Sequence, residues 1–246
     1  MDRIIYTTMT GANAAVHRQA VLSNNLANAS TLGFRAELSA IRSVPLQGDG
    51  ASTRVFSLEA TSGHSQARGA STTTGRPLDA MTRGNAWFAV QGLDGTEAYT
   101  RAGNFEVSAN GQLSTPNGLP VLSDGGTPID VPPNSTIALG NDGTVTVKTG
   151  DAPAQPLARI KLVTPTAEAG IRRGDDGMFR PANGDPLPPD PEARMTPGAL
   201  EGSNVNAVEC MIGMIAASRQ FEQQMRLIQV AETDDKSASQ LLSLNG

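Results

Sequence analysis

The two ends of the chain carry the same periodic pattern, although almost the whole sequence separates them. At the N-terminal end, apolar and small uncharged residues recur at steps of four and three residues: Ile5, Met9, Ala12, Val16, Gln19, Ser23 and Leu26. At the C-terminal end the same steps join Ala207, Met211, Met214, Ser218, Phe221, Met225 and Ile228, with Val208, Ile212 and Ile215 beside them. This spacing predicts a helix with one apolar face at each end. Because a single helix of this length is marginal in water, we expect the two to pair.

Local signals predict where these helices stop and start. After the first pattern, Gly33 suits a left-handed helix stop, and Phe34 follows it where a hydrophobic contact often accompanies such a stop. Before the second pattern, Asn206 with Glu209 three residues later resembles a capping box.

The first helix has few charged residues for a helix that faces water. Through Leu26 its only charges are Asp2, Arg3 and Arg18, and most other polar positions are amides or hydroxyls. Such groups can be buried when they are hydrogen-bonded, so we expect contacts on several sides and hence an assembly. Two functions are open for Asn24, Asn25 and Asn28: they could cap the helix end, or they could form hydrogen bonds between subunits.

The region between the helices predicts an inserted β domain. Short β-like runs flank Asp94-Gly95 and Asn110-Gly111, which favours successive hairpins and an antiparallel sheet. The predicted fold class is therefore α+β, with N- and C-terminal helices paired as a coiled-coil-like domain around an inserted antiparallel all-β domain. The predicted segments are an N-terminal helix (1–35), an extended connector (36–80), a β-rich outer domain (81–197) and a C-terminal helix (198–246).

Composition and charge restrict the partners. A net charge of −5 without a cluster of Lys or Arg argues against nucleic acid or an anionic membrane surface. No stretch approaches the length of a transmembrane helix, and the first residues lack the apolar core of a cleaved signal peptide. The sole cysteine, Cys210, lies in the C-terminal helix pattern, where we expect a small buried hydrophobe. These features favour protein–protein binding.

Catalytic and cofactor motifs are missing from the sequence. It has no nucleophile elbow, no His-Glu-x-x-His helix and no phosphate-binding glycine loop. The two histidines, His17 and His64, have no cysteine or carboxylate at metal-ligand spacing. We expect no catalytic residue, cofactor, metal or small-molecule substrate.

Three segments resemble a known family. They are Ser23-Asn24-Asn25-Leu26-Ala27-Asn28-Ala29-Ser30-Thr31-Leu32-Gly33-Phe34-Arg35, then Tyr99-Thr100-Arg101-Ala102-Gly103-Asn104-Phe105, then Gly198-Ala199-Leu200-Glu201-Gly202-Ser203-Asn204-Val205-Asn206. They are similar, in this order, to the N-terminal signature, the β domain and the C-terminal signature of the bacterial flagellar rod and hook proteins. The opening residues and the chain length are most similar to proximal-rod subunits, and distal-rod subunits are the near alternative.

The resemblance implies a structural subunit of the flagellar basal body rather than an enzyme. Such a subunit would be exported unfolded through the flagellar type III export apparatus, without a cleaved signal peptide. It would then polymerise helically, with copies of itself and other rod subunits, into the periplasmic rod and its export channel. The alternative from another class is a cell-wall-directed glycan-binding protein or enzyme.

The residues expected to carry assembly come from the helix stripes and the family motifs. They are Ile5, Met9, Val16, Asn24, Asn25, Leu26, Asn28, Gly33, Phe34, Asn204, Val205, Asn206, Met211, Met214, Ile215, Phe221, Met225 and Ile228.

Overall fold

A computed structural model describes residues 2–45, 55–150, 152–166 and 168–243 of the chain. These residues divide into two compact units. Unit 1 combines residues 1–29, 36–64 and 205–246 so far as they are described, and unit 2 combines residues 30–35 and 65–204. Each unit is therefore assembled from segments that lie far apart in the sequence.

The secondary structure begins and ends with a helix. In chain order, the elements are α1 (Asp2–Ala27), β1 (Glu37–Pro45), β2 (Val55–His64), β3 (Ser71–Thr73), β4 (Ala80–Thr82), β5 (Trp87–Gln91), β6 (Glu97–Thr100), β7 (Glu106–Val107), β8 (Leu113–Ser114), β9 (Ser135–Leu139), β10 (Thr144–Thr149), β11 (Gln155–Arg159), β12 (Leu162–Val163), β13 (Ile171–Arg173), β14 (Phe179–Pro181), β15 (Met195–Pro197), β16 (Ala199–Glu201) and α2 (Ala207–Ser243).

Unit 1 contains the paired terminal helices and a two-stranded sheet. Strands β1 and β2 run antiparallel, with the register extending from Glu37 opposite His64 to Pro45 opposite Val55. The segment 36–80, expected to be an extended connector, thus contains paired strands, and unit 1 takes it as far as residue 64. Residues 46–54 of that predicted connector lie outside the described residues.

Unit 2 holds the inserted β structure. Its largest sheet has five strands in the order β12-β5-β6-β14-β13, and a second sheet has the order β11-β10-β9. The pairs β15-β4, β16-β3 and β7-β8 form smaller sheets, and all pairs of named strands are antiparallel. The predicted α+β class with an inserted antiparallel β domain is confirmed.

Turn chemistry explains why the two predicted hairpins form. Strands β5 and β6 are joined through Gly95, and β7 and β8 through Gly111, with φ angles of 77° and 79° that favour glycine. The Asp94 carboxylate also accepts a hydrogen bond from the Thr96 amide at 3.1 Å, which holds the first turn closed. Both hairpin predictions are confirmed.

Two hydrophobic clusters fill unit 2. In the larger one, the rings of Phe88 and Phe105 meet edge to face with their centroids 5.0 Å apart. In the smaller one, the only tryptophan, Trp87, lies 4.5 Å from Phe179 between ring centroids. Alternate residues of β5 therefore serve opposite clusters, as the two faces of a strand require.

Neither helix is a membrane span. Over the residues that the structure describes, α1 and α2 lack a stretch both long and apolar enough to cross a bilayer.

Candidate functional site

Helices α1 and α2 lie side by side and antiparallel. The Leu22 side chain of α1 contacts Gly213 of α2, where an added Cβ would lie 2.9 Å from the leucine. The Gln224 side chain of α2 contacts Gly11 of α1, where an added Cβ would lie 3.0 Å from the glutamine. As the residue number rises along α1, the number of its partner on α2 therefore falls. Glycine at both points lets the two helices approach closely, so the predicted pairing of the two chain ends is present within one molecule.

The side of α1 that is buried consists of small residues. Thr8, Ala12, Ala14 and Ala15 are all less than a tenth exposed, and Gly11 is buried among them. Met9 and Val16 of the predicted stripe are instead 52% and 48% exposed. The prediction that they lie in the buried seam is therefore wrong, because the close approach of the helices selects small side chains.

Helix α2 shows a similar shift. Cys210 and Ala217 are buried, and Met214, Phe221 and Ile228 of the predicted stripe are half-buried beside them. Met211 and Met225 are 49% and 39% exposed, so their predicted places in the seam pass to Cys210, Ala217 and Gln224. Ile5 and Leu26 of α1 are half-buried, in agreement with the stripe.

An apolar surface therefore remains open on unit 1. It consists of exposed side chains of both helices, which we call the exposed helix surface: Tyr6, Met9, Val16, Val208, Met211, Ile212, Ile215, Met225, Leu227 and Val230. A groove of about 640 Å³ runs along part of it on α2, lined by Ile212, Ile215, Ala216, Arg219, Gln220, Gln223 and Gln224. Exposed apolar patches of this kind typically mark a binding surface.

Asn25 ties the end of α1 to the start of β1. Its amide nitrogen donates to the Glu37 carbonyl at 2.9 Å, and its amide oxygen accepts from the Glu37 backbone N–H at 2.9 Å. Asn25 is only 4% exposed, so these bonds satisfy an amide that would be costly to bury alone. Asn24 is exposed, and Asn28 donates to the Asn24 carbonyl at 2.9 Å near the helix end. Capping thus accounts for Asn28, and attachment of β1 accounts for Asn25.

The N-terminus of α2 is capped by Asn206, the first residue of the predicted capping box. The Asn206 side chain accepts hydrogen bonds from the backbone N–H groups of Val208 at 3.1 Å and Glu209 at 3.3 Å. These two donors have no partner inside the helix, so Asn206 defines where the helix starts. Val205 before it is half-buried.

Gly33 adopts the predicted left-handed conformation, with a φ of 67°, but it does not end a helix. Helix α1 stops at Ala27, and Gly33 lies in a later turn in which the Phe34 N–H donates to the Thr31 carbonyl at 3.3 Å. Phe34 is buried in unit 2 beneath the Arg173 guanidinium, 4.3 Å from its ring centroid. The predicted helix stop is therefore corrected to a tight turn within unit 2.

A buried ion cluster in unit 2 was missed by the sequence reasoning. Glu201 pairs with Arg35 at 2.7 Å and with Arg101 at 3.0 Å, and all three side chains are 2% exposed. The Gly69 amide also donates to the Glu201 carboxylate, at 3.1 Å. We call these four residues the Glu201 cluster. Each of its charged residues belongs to a different family-like motif, which was the available signal.

The cluster is electrostatically one-sided, with two cations around one anion. Burial, and after it the nearby Arg35 charge, lower the pKa of Arg101 to about 10, while Glu201 opposes both effects. Burial likewise lowers the pKa of Arg35. Both arginines stay protonated at neutral pH. Arg101 also donates to the Gly84 carbonyl at 3.0 Å and lies 5.1 Å from the Trp87 ring centroid, which stabilises its charge further.

Asn204 attaches to the same part of unit 2. Its side-chain nitrogen donates to the Ala67 carbonyl at 2.7 Å, and its backbone N–H donates to the Phe34 carbonyl at 3.3 Å. Arg35 also donates to the Ala67 carbonyl.

Unit 2 has a polar cavity of about 390 Å³ beside a second buried ion pair. The Lys161 ammonium lies 2.8 Å from the Glu97 carboxylate, and both line the cavity with Gln91, Gly95, Leu122, Asp124, Gly125, Gly126 and Pro186. Among these lining residues there is no aromatic ring. Over the described part of the chain, no group of three or more His, Cys, Asp or Glu residues is arranged to hold a metal ion.

Comparison with known families identifies three matching regions. Residues 5–35 match the flagella basal body rod protein family, residues 81–147 match the flagellar hook protein FlgE/F/G D1 domain, and residues 196–241 match the flagellar basal body rod FlgEFG protein C-terminal family. The first match contains most of α1, the last contains most of α2, and the middle match lies in unit 2.

Individual relatives match over the full length. The flagellar basal-body rod protein FlgF of Escherichia coli strain K12 is 43% identical over 100% of both chains, and FlgF of Salmonella typhimurium strain LT2 is also 43% identical over 100% of both. The flagellar basal-body rod protein FlgG of Buchnera aphidicola subspecies Acyrthosiphon pisum is 29% identical, over 96% of this chain and 98% of its own. The chain belongs to the flagellar basal-body rod protein family and is FlgF-like.

Proposed function

We propose that this protein is a structural subunit of the proximal rod of the bacterial flagellar basal body. It polymerises helically through its paired terminal helices and forms part of the drive shaft and of the export channel. The observation that carries this proposal is the full-length identity with FlgF proteins, which includes both terminal helices and the β unit. The role is mechanical, and no reaction is assigned to the protein.

The exposed helix surface supports polymerisation. Met9, Val16, Met211, Ile215 and Met225 project large apolar side chains that the α1–α2 pair leaves open. Fully burying a side chain of this kind contributes about 1.5–3 kcal/mol, and because these are already about half-buried, a neighbouring subunit would gain about half of that from each. In this proposal the exposed helix surface contacts a different surface of the neighbouring subunit, and such heterologous contacts build an open helical array when they do not close into a ring.

The half-buried residues have a different part in this proposal. Ile5, Leu26, Met214, Phe221 and Ile228 stabilise the α1–α2 pair, so that the exposed helix surface is presented by a formed pair of helices. Asn24, which is exposed, is assigned to hydrogen bonding with a neighbouring subunit. Gly33, Phe34 and Asn204 shape the part of unit 2 that joins this pair along the chain.

The partners follow from this function. They are copies of the same chain, other rod subunits and the flagellar type III export apparatus, and the location is the periplasmic rod. Export through that apparatus is supported by residues 5–35, which include most of α1 and match the rod protein family.

Two alternatives are less well supported. A distal-rod role would fit a FlgG-like chain, but the FlgF proteins of Escherichia coli and Salmonella typhimurium are 43% identical to this chain, against 29% for the FlgG relative. A glycan-binding role would use the polar cavity of unit 2. Sugar rings are commonly bound against aromatic side chains, and the residues that line this cavity include none.

Electron microscopy of flagellar intermediates tests the proposal. A strain that lacks this gene should give membrane rings without a completed rod, and the wild-type gene should restore rods and hooks. Complete rods with hooks in the deletion strain would refute the rod assignment.

A further inference from the structure

Three segments of unit 2 carry all of its covalent connections to unit 1. The chain passes between the units after residues 29, 35, 64 and 204. The corresponding segments of unit 2 are 30–35, the start of 65–204 and the end of 65–204. How firmly these segments are held decides whether the connections are flexible linkers or fixed points.

Hydrogen bonds join the three segments to one another inside unit 2. From the first segment, Gly33 donates its backbone N–H to the Glu201 carbonyl at 2.8 Å. From the second segment, Gly69 donates to the Glu201 carboxylate at 3.1 Å. From the third segment, the Gly202 N–H donates to the Ala70 carbonyl at 2.8 Å, and Asn204 reaches Ala67 at 2.7 Å.

The Glu201 carboxylate is the centre of this arrangement. One oxygen accepts from Arg35 of the first segment and from Gly69 of the second, and the other accepts from Arg101, which directly follows β6. Burying a carboxylate is costly unless charged donors compensate it, so Glu201 couples the order of the three segments whose groups surround it. Backbone geometry supports the same close approach, since a Cβ on Gly69 would lie 2.0 Å from the Gly202 carbonyl oxygen.

We propose that Glu201 is a positioning residue that fixes the three connecting segments at one end of unit 2 and makes them stiff. The inference rests on the proposed function, because a subunit of a rotating rod must transmit twist through its own chain connections. Flexible linkers would absorb that twist, whereas segments cross-linked by buried ion pairs resist it. Loss of the carboxylate charge should loosen the segments and leave the β core of unit 2 folded.

Hydrogen–deuterium exchange of the purified full-length protein tests the proposal, with Glu201→Gln compared with wild type. We expect the amides of Gly69 and Gly202 to exchange about ten-fold faster or more in the variant. The amides of Leu113 and Val121, which are bonded within the β core, should keep their relative protection.

Glu97→Gln is the matched control. Glu97 is also a buried, ion-paired glutamate of unit 2, and its partner Lys161 lies away from the connecting segments in sequence. Any general loss of stability should appear in both variants, whereas selective loosening of Gly69 and Gly202 should appear only in Glu201→Gln. Equal effects of the two variants, or unchanged exchange at Gly69, would overturn the proposal.

A second variant covers the case in which Glu201→Gln does not fold. Asn204→Ala removes the bond to the Ala67 carbonyl without leaving a buried charge. We expect faster exchange across residues 65–70 in this variant, and no change there would contradict the proposal.

Complementation separates this inference from the proposed function. Failure of the wild-type gene to restore rods would reject the rod assignment. With wild type functional, the Glu201→Gln protein should restore rods but lose motility first in viscous medium, where the load is larger. Motility equal to wild type under that load would reject the stiff-connection inference alone.

Discussion

Replacing Gly33 with alanine should destabilise unit 2 by more than the cost of the backbone angle alone. The φ of 67° places this residue in the left-handed region, which costs an alanine about 1–2 kcal/mol. The new Cβ would also lie 2.4 Å from the Ala102 nitrogen and 2.4 Å from the Arg101 carbonyl carbon. Both atoms are backbone and cannot rotate away, so overpacking adds about 1–3 kcal/mol. We expect a total loss of about 3 kcal/mol.

Gly118→Ala supplies the control for this measurement. Gly118 has a φ of 77°, yet a Cβ there would meet nothing within 4 Å. It carries the same backbone cost, and the same change in unfolded-chain entropy, without the steric term. Urea unfolding followed by Trp87 fluorescence reports on unit 2, because this buried residue is the only tryptophan. With a slope of about 2 kcal/mol per M urea, a steric term of ~2 kcal/mol should lower the Gly33→Ala midpoint by about 1 M relative to Gly118→Ala. Equal midpoints would refute the steric argument.

Three further predictions concern assembly, pairing and pH. Ile215→Asp should leave the free energy of unfolding of the purified protein within about 0.5 kcal/mol of wild type, because the Ile215 side chain is 56% exposed. The same change should block rod completion, because assembly would bury an unpaired charge. Gln229→Asp, which adds the same charge at another exposed position of α2, is its control, and normal motility with Ile215→Asp would exclude this surface from assembly. Cys210 is buried, and this burial, followed by the Glu209 charge, raises the pKa of its thiol. At neutral pH the folded protein should therefore react with a maleimide at least ~10-fold more slowly than the protein unfolded in urea. Equal rates would mean that the buried side of α2 is open. A hydrogen bond from Thr164 lowers the pKa of Asp190 below its unfolded value of about 3.9. The ionised Asp190 therefore stabilises the folded protein above that pH, and this stabilisation is lost as the pH falls through the folded pKa. The melting temperature of Asp190→Asn should therefore change less between pH 7 and pH 3 than that of wild type. Parallel plots of melting temperature against pH would contradict this assignment.

Local sequence signals predicted the elements whose geometry depends on a few neighbouring residues. Asp94-Gly95 and Asn110-Gly111 form the turns that their residue types favour, and Asn206 caps α2 through bonds to residues two and three positions away. In each case the interacting groups lie within a few residues, so their chemistry can be recognised in a single sequence.

The interactions that sequence reasoning missed join distant residues or depend on helix separation. Arg35 and Glu201 are separated by 166 residues, and Arg101 and Glu201 by 100, so no spacing rule brings them together. The buried seam of the helices was misplaced because periodicity ranks Met9 and Met211 above glycine and alanine. Close approach at Gly11 and Gly213 reverses that ranking, and only the structure shows how near the two helices are.

The joining of the two chain ends also has a kinetic consequence. Helix α1 packs against α2, and the Glu201 cluster needs both Arg35 and Glu201, so the helix pair and this cluster form only when nearly the whole chain is available. Folding with such long loops is slow, because the entropy of loop closure is lost before the distant contacts form. A chain delivered from either end in an extended state would therefore complete the α1–α2 pair and the Glu201 cluster only when its last segment arrives.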